Sequence, residues 1–515
     1  MKASLKILSF ALALLMLVLC FASCGGTKET EAESKQETEG QSTETETEIA
    51  VNSRLSVKDN VPTNLNFENA EDNTLTFFVR DNNDMFKYEM DVDEITDNTL
   101  WDAIYRRNDT VETRLGVEIT TISQSGSWGP HIEWFQTLRN SVNTKSGDYD
   151  TAAVYLSQGS ALSVEGMYYN LVDFPHLSHD KPWWNQNIRE ETMLFDTLYY
   201  LAGDIAVSEM AYGICLFFNK RLMDEIYAGQ NIDLYDVVEN GEWTIDMFYD
   251  LTSGAWEDTN SSGVTDNGDT VGLTFGANAL NTNGDPHMDA WIPALGLSVT
   301  EMQDGIPVLT IYNERAVAAY EKVQELFTDN PGAIAGSGEE LADSAFDIGK
   351  SLFMRNTLDS GSKLRDMADP YGVLPLPKFD EEQEGYHTCP HNEVSLIVIL
   401  SSCLKEKTEM VGATLELMAA ESYKQVTPAY YDIVLKSKYS DEPRDADMYD
   451  LILGSFVYTF GYVYSTQSLN SVGNLFRNLT VDFAQQYEAN AQKYETSLGQ
   501  LLDKFDELAW IGSTN

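Results

Sequence analysis

Between residues 75 and 156, short apolar runs alternate with longer helical periodicities, and this alternation restricts the fold more than anything else in the chain. The run Leu75, Thr76, Phe77, Phe78, Val79 stops at the polar cluster Arg80, Asp81, Asn82, Asn83, as a buried parallel strand ending in a functional loop does. A helical stretch over residues 98–115 follows, then Gly116 and a second strand over 117–122. Another helical stretch over 131–142 leads through Ser146, Gly147 and Asp148 to a third strand over 150–156. The order β-α-β-α-β predicts an α/β sheet, in which ligands gather beyond the carboxyl ends of the strands. Those ends make Asp81, Ser157 and Gln158 candidate ligand-binding residues.

The chain ahead of this body reads differently. Lys2 and Lys6 introduce an apolar segment over residues 7–22, and the small residues Ala22 and Ser23 stand directly before Cys24. That is the order of a secretory signal peptide. A membrane span needs about 20 apolar residues, whereas this segment ends at a cysteine flanked by Gly25 and Gly26. Phe21, Ala22, Ser23 and Cys24 resemble a bacterial lipobox, with Phe21 in place of the usual leucine. The resemblance implies cleavage before Cys24, acylation of that cysteine, and a mature protein tethered to a lipid bilayer outside the cytoplasm. Each buried methylene adds about 0.8 kcal/mol, so several acyl chains hold where one does not. Residues 27–49 are Glu, Thr, Ser, Gln and Lys with almost nothing large and apolar, too little to offset the entropy of ordering them. They predict a flexible spacer.

What remains, about 450 residues, exceeds what a single core usually holds and predicts two domains, or one very large one. The net charge of −49 extends over the body as well as the tether, which argues against nucleic acid and anionic head groups as partners. Cys215, Cys389 and Cys403 form an odd set in a large body. They predict isolated buried thiols and no disulfide framework, with a Cys389–Cys403 bridge as the alternative.

Further along, Leu198, Tyr199, Tyr200, Leu201, Ala202, Gly203 and Asp204 are followed by Ala211, Tyr212, Gly213 and a run ending in Phe217, Phe218, Asn219 and Lys220. These segments resemble the first inter-domain crossover of bacterial extracellular solute-binding proteins of the maltodextrin-binding type, family 1. Glu242, Trp243, Thr244 and Ile245 are similar to a helix start of that family, with Thr244 the expected N-cap. Gly349 to Met354, with Tyr371, Gly372, Val373, Leu374, Pro375, Leu376 and Pro377, resemble a later pair of its motifs. The matches keep the family's order over residues 75–377. They imply a two-lobed, type II periplasmic-binding-protein-like α/β fold whose discontinuous lobes are joined by hinge crossings. The signal peptide would be 1–23 and the anchor and tether 24–64. Lobe one would be 65–209 with a return at 392–436, and lobe two 210–391 with 437–515. The implied function is that of a monomeric, non-enzymatic receptor that captures a carbohydrate, an oligosaccharide first, and delivers it to the permease of an ATP-driven (ABC) importer. An importer's peptide-binding lipoprotein and a surface glycoside hydrolase are the alternatives. Phe483, Tyr487, Asn490, Tyr494, Leu498, Leu501, Phe505 and Leu508 recur every three or four residues, which predicts one long amphipathic helix packed on lobe two.

Sugars present apolar C–H faces ringed by hydroxyls, so a cleft for them needs flat aromatic platforms beside carboxylates and amides. Trp183, Trp184 and Trp291 are the expected platforms, joined by Asp81, Ser157 and Gln158, by Glu209 and Tyr212 at the crossing, and by Asp359 after Met354. Separately, residues 258–269 follow the spacing of a Ca²⁺ loop: Asp258, Asn260, Ser262, Val264 through its backbone, Asp266 and Asp269, with Gly263 at the sixth position. An ion there would brace the loop. His387, Cys389 and His391 have no second cluster to complete a tetrahedral metal set and are read as structural. The chain has no Gly-x-Ser-x-Gly elbow, phosphate-cradling glycine loop or His-Glu-x-x-His, which weakens an enzymatic reading.

Overall fold

A computed structural model describes residues 53–127, 129–259, 261–263, 265–266, 268–276, 285–336, 345–435 and 443–514. Cys24, Asn260 and Val264 lie outside these residues. The first apolar run forms β1 (Thr74–Arg80), with Leu75, Phe77, Phe78 and Val79 buried. Asn83 turns the chain into α1 (Asp84–Tyr88) by accepting the Phe86 amide at 3.1 Å. Asn98 caps α2 (Thr99–Leu115), and Gly116 stops it at φ 65°. A Cβ on Gly116 would lie 2.8 Å from the Glu68 amide, so only glycine closes this helix. β2 (Glu118–Gln124), α3 (His131–Thr144) and β3 (Thr151–Tyr155) follow within a few residues of the expected bounds. β3 runs into α4 (Leu156–Ser163), and α5 (Val207–Ala211) lies on the first crossing to a second sheet.

The second sheet collects β4 (Ile214–Asn219), β5 (Val271–Gly276), β8 (Ala333–Gly336), β9 (Ser351–Thr357) and β10 (Tyr371–Leu374), beside a hairpin of β6 (Thr300–Gln303) and β7 (Ile306–Leu309). Its order is β10-β4-β9-β5-β8, parallel between β5 and its neighbours and antiparallel on both sides of β4. Thr244 does cap its helix, accepting the Met247 amide. α6 (Glu314–Thr328) covers this lobe. The chain then returns: β11 (Ser395–Ile399) adds antiparallel to β3, giving the first sheet the order β11-β3-β1-β2. α7 (Thr408–Glu421) passes through a π-helical turn, Ser422–Val426, into α8 (Thr427–Leu435). α9 (Pro443–Gly454) and α10 (Phe483–Thr514) complete the fold.

One apolar core lies in lobe one around Phe77, Val79, Ile397 and Leu417. The larger one runs from Phe78 and Trp134 through Phe217 and Phe353 to Phe476 and Phe505, and so through both lobes. α10 shows why. Its first half packs on lobe two, with Phe483 5.3 Å from Tyr320 and Tyr487 stacked 4.5 Å from Tyr312. Its second half reaches lobe one, with Phe505 6.0 Å from Tyr199. The helix expected on lobe two alone therefore bridges the lobes. Cys215, Cys389 and Cys403 are free and buried, as expected of isolated thiols. Among the described residues no helix is long and apolar enough to cross a membrane.

Candidate ligand-binding site

Two crossings meet side by side. Gly213 bridges Pro390, and the His391 amide donates to the Tyr212 carbonyl at 2.8 Å. Lobe one meets them where β1 ends, because Asn83 donates through Nδ2 to the Tyr212 hydroxyl at 2.9 Å and the Phe86 ring lies 5.2 Å from that of Tyr212. Lobe two meets them where β9 ends: the Leu358 and Asp359 amides donate to the carbonyls of Gly213 and Ala211 at 2.9 and 2.8 Å.

Beside this junction the lobes enclose a cavity of about 300 Å³. Lobe one lines it with Met85, Asn98, Leu100 and Trp101, and lobe two with Leu358, Asp359, Ser362 and Arg365. Tyr430 and Ile433 of α8 close the back. Trp101 is half-buried at the start of α2, with the Tyr88 ring 5.8 Å away. Asn98 spends its side-chain oxygen on the Leu100 and Trp101 amides, so its role as cap fixes its position on the cavity wall. Burial pushes the Asp359 carboxyl up, partly offset by Lys363; Arg365 is exposed. An indole, an amide, a carboxylate and a guanidinium thus share one enclosed space between two lobes. That set is chemically complementary to a polar molecule with one flat apolar face.

The expected residues divide. Tyr212 and Asp359 stand at this junction, electrostatically coupled to one another. Asp81 is exposed at the end of β1 beside Ser123, whose hydroxyl lies 3.4 Å from its carboxylate. Ser157 and Gln158 are buried at the start of α4, bonded to each other at 2.7 Å. Glu209 faces away from the cavity: it accepts from Asn185 Nδ2 at 2.9 Å, from the Tyr458 hydroxyl at 2.7 Å and from the Gly203 amide. None of the three expected tryptophans lines this cavity; Trp183 and Trp184 border a second one. Trp183 and Trp184 are buried in the core of lobe one, where Trp184 Nε1 donates to Glu416 at 2.9 Å. Trp291 is 0 % exposed between Phe248 and Phe327 in lobe two. The enclosed Trp291 indole has no open face to offer as a platform. The indole that lines the cavity is Trp101, which sequence reasoning read only as part of a helix; its signal was a tryptophan one turn inside an Asn cap.

In the 258–269 loop the acids accept hydrogen bonds from the loop's own amides. Both Asp258 oxygens accept backbone amides, from Ser262 at 3.0 Å and Gly263 at 2.8 Å. Those of Asp269 accept Thr259 and Asp266 amides, both at 3.1 Å, and Asp266 accepts the Gly268 amide at 2.7 Å. The Lys350 ammonium also donates to the Gly268 carbonyl. Among the described residues no group of three His, Cys, Asp or Glu is placed to hold a metal ion. Asp258, Asp266 and Asp269 thus each accept amides of the loop itself, while Asn260 and Val264 lie outside the described residues.

Two α/β sheets joined by crossings, with the second sheet fed and the first completed by a returning strand, define the two-lobed, type II periplasmic-binding-protein-like fold. No protein-family model matches the chain, and no curated protein matches it. Solved structures do. The GacH receptor of Streptomyces glaucescens, determined unliganded and with acarbose, superposes at a TM-score of 0.53 with 12% identity, over 83% of this chain and 99% of its own. The ABC substrate-binding protein Lmo0181 of Listeria monocytogenes, in complex with cycloalternan, gives 0.52 and 12% over 83% and 100%. A cyclo/maltodextrin-binding protein with maltotetraose gives 0.52 and 13% over 85% and 97%. At these identities the likeness is one of fold.

Proposed function

We propose that this protein is the extracytoplasmic solute-binding receptor of an ABC importer, tethered to the membrane through acylated Cys24, and that it holds a carbohydrate between its lobes. The observation that carries the reading is the interlobe cavity, in which Trp101 offers a flat apolar face while Asn98, Asp359 and Arg365 offer directional polar groups. Receptors of the same fold bind acarbose, cycloalternan and maltotetraose, which supports an oligosaccharide as the ligand. Glycoside hydrolysis needs two carboxyl groups flanking the scissile bond; among the described residues that line the cavity, Asp359 is the one carboxylate. The protein binds its sugar and releases it unchanged.

A thermal-shift screen over a library of linear and cyclic oligosaccharides tests this. A bound sugar at a hundredfold excess over Kd stabilises the folded chain by about 2.7 kcal/mol, and chromatography of the recovered ligand should show it intact. Stabilisation by peptides and by no sugar, or release of shorter sugars, would replace the proposal with one of its alternatives.

A further inference from the structure

Behind the crossing lies a second cavity, of about 240 Å³, that shares no lining residue with the first. The wall between them is α8. Tyr430 and Ile433 face the first cavity, while Thr427 and Tyr431 face the second; the two pairs lie on helix faces about 100° apart. The second cavity also straddles the lobes, with Tyr423 of the π-helical turn on one side and Leu453 and Phe456 at the end of α9 on the other.

Its chemistry differs from that of the sugar cavity. Asp204 and Glu209 both line it. Asp204 accepts the Thr427 hydroxyl, and Tyr423, Tyr431 and Phe456 are half-buried around it. Asp450, outside the lining, is a hydrogen-bond partner of Tyr431. Two acids therefore line an aromatic-walled space, and among the described residues that line it Arg54 is the one cation. Arg54, from the stretch assigned by sequence to the tether (24–64), places its guanidinium carbon 4.5 Å from the Tyr423 ring centre. It lies 3.8 Å from Asp204 and donates to the Tyr423 carbonyl at 3.4 Å. Both contacts are long, and the side chain is 29% exposed. Aromatic faces with carboxylates at their edge recognise organic cations, and the chain's own guanidinium shows the kind of group the space accepts.

We propose that this cavity is a second ligand site, for a small organic cation bearing a guanidinium or primary ammonium on a short apolar body, with Arg54 as its built-in competitor. The site goes beyond the capture of sugar and uses none of that cavity's residues. Because α8 forms a wall of both, its occupant presses on the same helix as the sugar.

Calorimetric titration with n-butylguanidinium, against n-butylurea as an uncharged molecule of similar shape, tests it. Arg54→Ala should bind n-butylguanidinium at least about tenfold tighter than the parent, a factor worth about 1.4 kcal/mol, and should give no heat with n-butylurea. On that background Asp204→Asn should abolish binding. Tyr423→Leu, which leaves every carboxylate in place, should weaken it about tenfold. Trp101→Ala, in the other cavity, should leave it unchanged. Equal binding of the urea, equal affinity with and without Arg54, or no binding by a folded Arg54→Ala protein would each overturn the proposal.

Discussion

Two tryptophans show how the same residue type separates binding from stability. Trp101 is half-buried on a cavity wall, whereas Trp291 is fully enclosed. Trp101→Ala is expected to weaken sugar binding by at least about tenfold, since a stacked platform and its buried area are lost, with little change in the denaturant midpoint. Trp291→Ala should cost about 3–5 kcal/mol of stability through the void it leaves, with sugar affinity close to the parent's in whatever fraction stays folded. Titration and urea unfolding of both variants decide the assignment; the reverse pattern would move the platform to Trp291. Glu209 makes a different prediction. Burial is the main cause that pushes its carboxyl from 4.5 up to about 7, against the hydrogen bonds from Tyr458, Gly203 and Asn185. The folded chain therefore holds the proton more tightly than the unfolded chain. Its contribution to stability is complete below pH 4.5 and is lost as pH rises through 7, by about 3 kcal/mol. Glu209→Gln should remove that component, so that the difference in unfolding free energy between parent and variant changes between pH 4.5 and 8. A difference that stays flat would mean that Glu209 is ionised throughout.

At the scale of elements, the 258–269 loop combines a calcium-like spacing with a network of its own amides. Its acids follow the calcium rule in sequence, yet in the fold each accepts a main-chain amide of the loop itself. Removal of calcium by a chelator is expected to leave the melting temperature unchanged. A chelator-dependent fall, or heat on calcium titration, would show that the carboxylates exchange those amides for an ion. The strands and helices of lobe one were legible because each carries its own local signal. β1 ends where apolar residues give way to Arg80 and Asp81, and α2 is bounded by Asn98 and Gly116. Trp183 and Trp291 carried no such signal: an indole suits a core or a ligand equally, and which it meets depends on elements far away in the chain.

For the whole molecule, the bridging of both lobes by α10 sets how it unfolds. Phe505 packs at 6.0 Å from Tyr199, 6.1 Å from Phe460 and 5.5 Å from Tyr464, and Tyr464 shares a 3.1 Å hydroxyl contact with Tyr200 of lobe one. A core continuous through both lobes should unfold as one unit. Calorimetry is expected to give one transition for the parent and one, at lower temperature, for Phe505→Ala, which loses about 3–5 kcal/mol. Two separated transitions in the parent would show that the lobes are independent and the helix merely rests on them.

The sequence by itself determined the elements and their alternation, the capping of helices by Asn98 and Thr244, the isolated thiols, and hence the α/β class, because these depend on periodicity and on residues a few positions apart. The tertiary structure decided which side chains meet. It sent Trp183, Trp184 and Trp291 into cores, turned Glu209 toward Tyr458, and brought Trp101 opposite Asp359 across the lobes. It also laid α10 over both lobes and set Arg54 against Asp204. Contacts between residues so far apart in the chain arise only when the sheets pack, and no local pattern of residues encodes them.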